Sequence, residues 1–325
     1  METYLITGAT GYIGSMLVKD LIKTVRGADI TLVVRDKAKA KSIFDNLEKG
    51  NVTIHYIVAD LSDKVAMDKI EGKFDNIIHS ASITKSLEMI NKPTSVIESI
   101  VNSTQNILDL SLRCKAQSVV YLSSMEVYGT INSSIENKVT EDELGDIDIY
   151  DVRSCYPMAK RMAENICYCY YKEYGLPIKI ARLAQTFGAG VLPGESRVFA
   201  QFANAVYKNE DIILHTRGNS VGNYCDIYDA VDALKYLLKK GINGEAYNVV
   251  NEENTMTIGK MAELVAEKIA KGNINIKYDI PKENIYGFAK ETGLRLSSAK
   301  INKLGWKAKR NLFDMYTDVL KEISE

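Results

Sequence analysis

Several things are scarce in this 325-residue chain, and each scarcity removes a class of function. Charge excess is absent: 41 lysines and arginines face 42 aspartates and glutamates, so no net field draws the chain to nucleic acid or an anionic membrane. No apolar run is long enough to cross a bilayer, and no secretory leader is expected, because Met1 leads straight into a strand-like segment. The only histidines, His55, His79 and His215, stand far apart, and Cys167-Tyr-Cys169 lacks ligand spacing; no metal site is expected. The cysteines (Cys114, Cys155, Cys167, Cys169, Cys225) are an odd set scattered among core-like segments. They read as buried free thiols of a reducing cytoplasm. The single tryptophan, Trp306, has apolar neighbours and reads as core.

What is present is alternation. Residues 3–7, 30–34, 52–58, 76–79 and 118–123 have the apolar, β-branched character of buried strands. Between them, residues 37–47, 62–70 and 94–113 repeat their apolar positions with helical period. Strands alternating with helices imply a parallel sheet wound by right-handed crossovers. After about residue 182 the rhythm loosens, as in a smaller domain of mixed α/β structure. No proline-rich linker separates the parts, so the chain is expected to cross between them. The expected division gives residues 1–181 and about 222–250 to the first domain, and 182–221 and 251–325 to the second.

The opening METYLITGATGYIGS carries the first chemical signal. Gly8, Gly11 and Gly14 fall three apart between a buried strand and the helix-like MLVKDLIKTV. A dinucleotide-binding turn needs this pattern. Gly8 permits the tight turn, Gly11 a close approach to a pyrophosphate, and Gly14 close packing of helix on strand, with the helix N-terminus facing the phosphates. The whole is then the doubly wound Rossmann class of α/β fold. The second strand ends in Val34-Arg35-Asp36, and an arginine where an acid usually grips the ribose favours NADP over NAD. The alternative for Arg35 and Asp36 is a solvated pair opening a helix. Asp60 and Leu61, after the third strand, suit an adenine amino group and ring, although Asp60 also suits a helix N-cap. The small residues of His79-Ser80-Ala81-Ser82 would let backbone approach the cofactor.

A second constellation follows. Ser123-Ser124-Met125-Glu126 ends the fifth strand, and Tyr156-Pro-Met-Ala-Lys160 lies some thirty residues on. Tyrosine and lysine four apart project from one helix face. A lysine ammonium can bring down a phenol whose ordinary pKa is near 10, and Ser124 can hydrogen-bond the same substrate oxygen. The three could remove a carbinol proton as hydride leaves its carbon. Glu126 could abstract a proton beside a transient ketone, or be a capping carboxylate.

On TGATGYIGS, Asp60, SSMEVYG, YPMAK, ARLAQTFGAG and SSAKINKLGW, the chain resembles the extended short-chain dehydrogenase/reductase family of nucleotide-sugar epimerases, dehydratases and decarboxylases. RSCYPMAKRMAENICYCY is especially similar to its UDP-glucuronate decarboxylase members. The resemblance implies that Ser124, Tyr156 and Lys160 perform the oxidation, with Glu126 beside them. It also implies that Gly8, Thr10, Gly11, Tyr12, Ile13, Gly14, Arg35, Asp36, Asp60, Leu61 and Ala81, with Tyr156 and Lys160, bind NAD or NADP. Ser82, Gln185, Arg197 and Arg295 would meet a nucleotide-linked substrate. Three positions depart from the family pattern. Met125 stands where dTDP-glucose-type dehydratases carry an aspartate, Gly222 where decarboxylases carry an arginine, and Gln185 where asparagine is usual. The expected activity is epimerisation or elimination through transient oxidation at C4. A net NADPH-dependent reductase and a catalytically silent cofactor sensor are the alternatives. The family pairs the helices corresponding to residues 94–113 and 156–173 across a two-fold axis, which implies a homodimer.

Overall fold

A computed structural model of the chain describes residues 1–131, 133–134, 136–192, 194–281 and 291–324. The chain divides into two compact units. The first comprises Met1–Gly129, Leu144–Leu183 and Val231–Asn248; the second comprises Thr130–Glu143, Ala184–Ala230 and Val249–Glu325.

The first unit is built on parallel strands β1 (Glu2–Thr7), β2 (Ala28–Val34), β3 (Val52–Val58), β4 (Asn76–His79), β5 (Ser118–Ser124) and β6 (Ile178–Leu183). Their order across the sheet is 3-2-1-4-5-6, with Ala246–Val249 added outside β6. Every pairing from β3 through to β6 is parallel. The chain winds outward from β1 to β3, then returns to β4 and winds the other way. The reversal lies between β1 and β4, and a crevice at the carboxyl ends of those strands is where such sheets bind ligands. β1, β2, β5 and β6 are buried on both faces, as a sheet covered by helices requires.

The covering helices begin and end for local reasons. Asp36 caps Lys37–Phe44, its carboxylate accepting from Lys39 N at 2.9 Å, which is the helix-opening alternative read from the sequence. Pro93 opens Pro93–Arg113, its fixed φ suiting a first helical position. Gly175, at φ +68°, ends Cys155–Tyr174 in a left-handed cap. Val96, Ile100 and Ile107 from the first of these long helices, and Ala159 and Ala163 from the second, join Leu5, Ile77, Val119 and Ile178 in one core. Cys155, Cys167 and Cys225 are buried, but Cys114 is partly exposed and Cys169 exposed, against the expectation that all were core. Cys169 lies two positions beyond Cys167 on the same helix, and residues so spaced face different sides.

The second unit holds a mixed sheet, Asn251–Thr257 antiparallel to Val221–Asp226, which runs parallel to Gln185–Phe187. Its core centres on Phe187, stacked on Phe199 at 4.2 Å and meeting Tyr224 and Tyr316 edge-on. Apart from shifts of two residues at the boundaries after 181 and before 251, two longer stretches fall outside the expected division. Residues 130–143 belong here because Val139 bonds backbone to backbone with Arg295 (2.7 Å) and Ser297 (2.9 Å). Residues 222–230 belong here because Val221–Asp226 is this sheet's central strand. Both assignments rest on pairings distant in sequence, which local pattern does not carry.

Gly222 is fixed by its neighbour. A Cβ there would overlap the Tyr224 hydroxyl and come within 2.5 Å of Cζ of that fully buried ring. Gly222→Ala should therefore cost about 1–3 kcal/mol of stability through overpacking, read by denaturant unfolding. An unchanged unfolding midpoint would mean that the Tyr224 ring shifts freely.

Candidate active site

At the strand reversal the backbone makes a cradle. Gly8 lies at φ +70°, in the left-handed region that glycine tolerates, and a Cβ on it would sit 2.7 Å from both Ala81 N and Ser80 Oγ. A Cβ on Gly14 would collide with the Gly8 carbonyl. Gly11 N donates to Gly8 O at 2.9 Å, and Gly11 caps the helix Tyr12–Thr24 without a side chain. The first amides of that helix are thus left open at a positive helix end. Gly14 is buried beneath the turn, whereas Thr10, Gly11, Tyr12 and Ile13 remain accessible. At the end of β4, Thr7 Oγ1 pairs with His79 Nδ1 at 2.8 Å and accepts from Ala81 N at 3.2 Å, tying β1 to β4. Burial, then the Lys160 charge, pulls the His79 imidazole down to about 3, so it stays neutral. The buried Ser82 and Ser123 hydroxyls have no hydrogen-bond partner among the described residues. Helix amides left open by a side-chain-free cap, and hydroxyls with no partner among the described residues, both fit a bound dinucleotide.

Three further expected cofactor residues, Asp60, Leu61 and Arg35, follow the ends of β3 and β2. Asp60 Oδ1 accepts from Ser62 N (2.9 Å) and Ser62 Oγ (2.6 Å), and these bonds, with some help from the Arg35 charge, hold its carboxyl below the usual range. The cap of the following helix is Asp63, not Asp60. Leu61 is partly buried, its carbonyl accepting from Asn106 Nδ2 at 2.8 Å. Arg35 is exposed.

The acid–base residues converge from three elements. Ser124 ends β5, and its Oγ accepts from Glu126 N at 3.2 Å, starting the single turn Met125–Tyr128. Tyr156 and Lys160 lie on the buried face of Cys155–Tyr174. Lys160 Nζ donates to Leu122 O at 2.7 Å and lies 4.8 Å from the Tyr121 ring centroid and 5.9 Å from that of Tyr156. Burial brings its ammonium down to about 7, with the Glu164 charge opposing the fall. Burial also drives the Tyr156 phenol well above its ordinary value, and the Glu126 charge adds to the rise. A hydrogen bond from Ser124 and the charge of Arg153 oppose it. A second cation therefore joins Lys160 near the phenol: Arg153, whose guanidinium forks onto Glu126 at 2.9 and 3.2 Å. Glu126 is thus held in an ion pair.

The expected substrate residues are split between the units. Ser82 follows β4 in the first, whereas Gln185, Arg197 and Arg295 are in the second. Gln185 begins the strand Gln185–Phe187. Arg197 pairs with Glu195 at 2.7 Å and lies 4.9 Å over the Phe199 ring. Arg295 lines a cavity of about 170 Å³ with Lys138, Glu252, Thr255 and Leu296. No hydrogen bond or ion pair among the described residues joins Gln185, Arg197 and Arg295 to one another.

Residues 4–250 match the model of the NAD dependent epimerase/dehydratase family. The chain belongs to that family. Among curated relatives it is 29% identical to UDP-glucuronic acid decarboxylase 6 of Arabidopsis thaliana, over 95% of this chain and 84% of that one. It is 30% identical to UDP-N-acetyl-alpha-D-glucosaminuronate decarboxylase of Bacillus cytotoxicus, over 77% and 75%. Among solved structures it superposes on UDP-glucose 4-epimerase with UDP-glucose from Thermotoga maritima with TM-score 0.82, at 22% identity, covering 99% and 98% of the two chains. A dTDP-glucose 4,6-dehydratase of Bacillus anthracis in complex with NAD gives 0.80, at 20% identity, covering 100% and 97%. Both likenesses establish the fold, which is the α/β class expected.

Within this family frame, two groups were not assigned from sequence. Arg153 sits three residues before Tyr156, a signal visible in RSCYPMAK, but its partner is 27 positions away and only the fold supplies it. Ser123 precedes Ser124, and nothing in the sequence distinguishes the orphaned hydroxyl from its neighbour.

Proposed function

We propose that this chain is a nucleotide-sugar epimerase that transiently oxidises C4 of its substrate and restores it within one binding event. The observation that carries the reading is the grouping of Ser124, Tyr156 and Lys160 at the end of β5, two strands across from the β1 end that carries the glycine turn. Bound NAD(P) supplies the hydride acceptor and later donor. Tyr156 takes the proton from the C4 hydroxyl, Ser124 holds that oxygen by hydrogen bonding, and the buried Lys160 completes the polar floor. Gly8, Gly11 and Gly14 with the first turn of Tyr12–Thr24 would carry the pyrophosphate, and Asp60 and Leu61 the adenine. The second unit, with Gln185, Arg197 and Arg295, would hold the nucleotide diphosphate.

Epimerisation is favoured over the other family outcomes by three residues. Met125 has no proton to give a departing hydroxyl, as dehydration requires. Glu126 is engaged by Arg153 and is not a free base for C5. Gly222 has no room for a side chain where decarboxylating relatives are expected to carry arginine. Arg35 favours a second reading, an NADPH-dependent reductase, because its exposed guanidinium at the end of β2 suits a 2′-phosphate.

Tyr156→Phe should lower turnover of UDP-glucose or a related UDP-sugar by about 10²–10⁴ while leaving cofactor affinity nearly unchanged. Turnover within a few-fold of the parent would exclude Tyr156 as the proton-transfer residue.

Cofactor choice rests on Arg35. The names of the family and of its NAD-bound members speak for NAD. The 2′-phosphate argument speaks for NADP(H), which should bind more tightly when both are titrated into cofactor-free protein. Equal affinity, or tighter NAD, would leave Arg35 a solvated helix-opening residue and remove the support for the reductase.

Assembly is the third expectation. Ile97 on Pro93–Arg113, and Met158, Met162 and Tyr168 on Cys155–Tyr174, expose apolar surface, whereas Tyr170 and Tyr171 pack against the core. Pairing these helices with a second copy would cover that surface. A dimer mass is expected from light scattering at micromolar concentration; a strict monomer would refute it.

A further inference from the structure

Glu126 and Arg153 form a small built device beside the proposed proton donor. Both sit on single turns whose conformation is determined at each end. Ser124 Oγ caps the turn of Glu126, and Gly129 leaves it at φ +64°, where a Cβ would collide with Asp146 O. Asp151 caps the turn Val152–Ser154, its carboxylate accepting from Arg153 N at 2.9 Å. That turn runs directly into Cys155–Tyr174, so Arg153 is carried on the same rigid element as Tyr156. The guanidinium uses both terminal nitrogens on both carboxylate oxygens, a planar match that a lysine does not reproduce. Both side chains are about two-thirds buried, so the pair is only partly screened by solvent.

We propose that Arg153 is a positioning residue for proton transfer: its fork holds Glu126 in place and balances that carboxylate's charge beside the Tyr156 phenol. This rests on the reading of Tyr156 as the acid–base group. The charges acting on Tyr156 come from several elements. Glu126 from the turn after β5 raises the phenol, and Arg153 from the turn before its own helix lowers it. Asp151 acts on Arg153, Tyr156 acts on the Tyr121 phenol of β5, and Lys160 lies one turn along the same helix. Without Arg153, Glu126 would stand as an unbalanced anion next to a group that must become an anion. Without Glu126, Arg153 would act unopposed and ease that ionisation.

The test reads the phenol without needing a substrate. The positive nicotinamide ring of NAD⁺ favours phenolate, so NAD⁺ binding should release a proton from Tyr156 over a defined pH range. Calorimetric titration of NAD⁺ in two buffers of different ionisation enthalpy counts those protons, and Tyr156→Phe identifies the share of the phenol. Arg153→Gln should move the midpoint of release up by about one pH unit, a tenfold change. Arg153→Lys should move it up less, Glu126→Gln should move it down, and the double variant should return near the parent. If Arg153→Gln folds poorly, the downward shift in Glu126→Gln remains the test. If Tyr156→Phe abolishes release while the Arg153 and Glu126 variants leave the midpoint in place, the proposal fails and the acid–base role of Tyr156 stands. If Tyr156→Phe leaves release unchanged, the acid–base reading fails and this proposal with it.

Discussion

The rest of the first unit depends on one close approach, that of the helix Tyr12–Thr24 to the end of β1. Gly14 meets the Gly8 carbonyl at a distance that no other residue could share. That contact sets the direction in which the helix leaves the sheet, and so aims its open amides across the gap where the strand order reverses. The bonds from Thr7 to His79 and Ala81 then hold the far wall of the gap against the near one. Steric exclusion, rather than a strong attraction, fixes how the helix, the turn and the strand end meet at this gap.

Desolvation is the second organising force. Lys160 and Tyr156 are both buried, and burial drives their pKa values apart: the ammonium falls and the phenol rises, each group pushed toward its neutral form. Catalysis at neutral pH requires the opposite for the phenol, so the charges around it decide whether the site functions. The Arg153–Glu126 pair and the Ser124 hydroxyl act on that phenol, and in the proposed reaction the cationic ring of an oxidised cofactor would join them. A site of this kind is assembled by binding, since part of the charge that makes it work arrives with its ligand.

Much of this was legible in the sequence, for identifiable reasons. The glycine triplet could be read because its steric demand is local, and β3 and β4 matched at both ends because their periodicity is local too. Tyr156 and Lys160 share a helix face by spacing alone. Residues 130–143 were misassigned because their partners, Arg295 and Ser297, lie more than 150 positions on. Lys160 does lie near the Tyr156 ring, but its hydrogen bond to Leu122 O joins it to a residue 38 positions away, which spacing does not reveal. The Arg153–Glu126 fork joins two turns that no periodicity links. What sequence withheld was consistently the pairing of groups distant along the chain.

The Tyr224 ring over Gly222 bears on how this chain could change over evolution. A carboxylate-recognising side chain cannot be added at position 222 while the ring fills that space. Removing the ring first would hollow out a core in which Phe187, Phe199, Tyr224 and Tyr316 hold one another in place. Either order of substitution passes through a destabilised intermediate, so an arginine there is best tolerated when the ring and its neighbours change with it. The aromatic cluster thus ties the chemistry available at position 222 to the stability of the second unit's core.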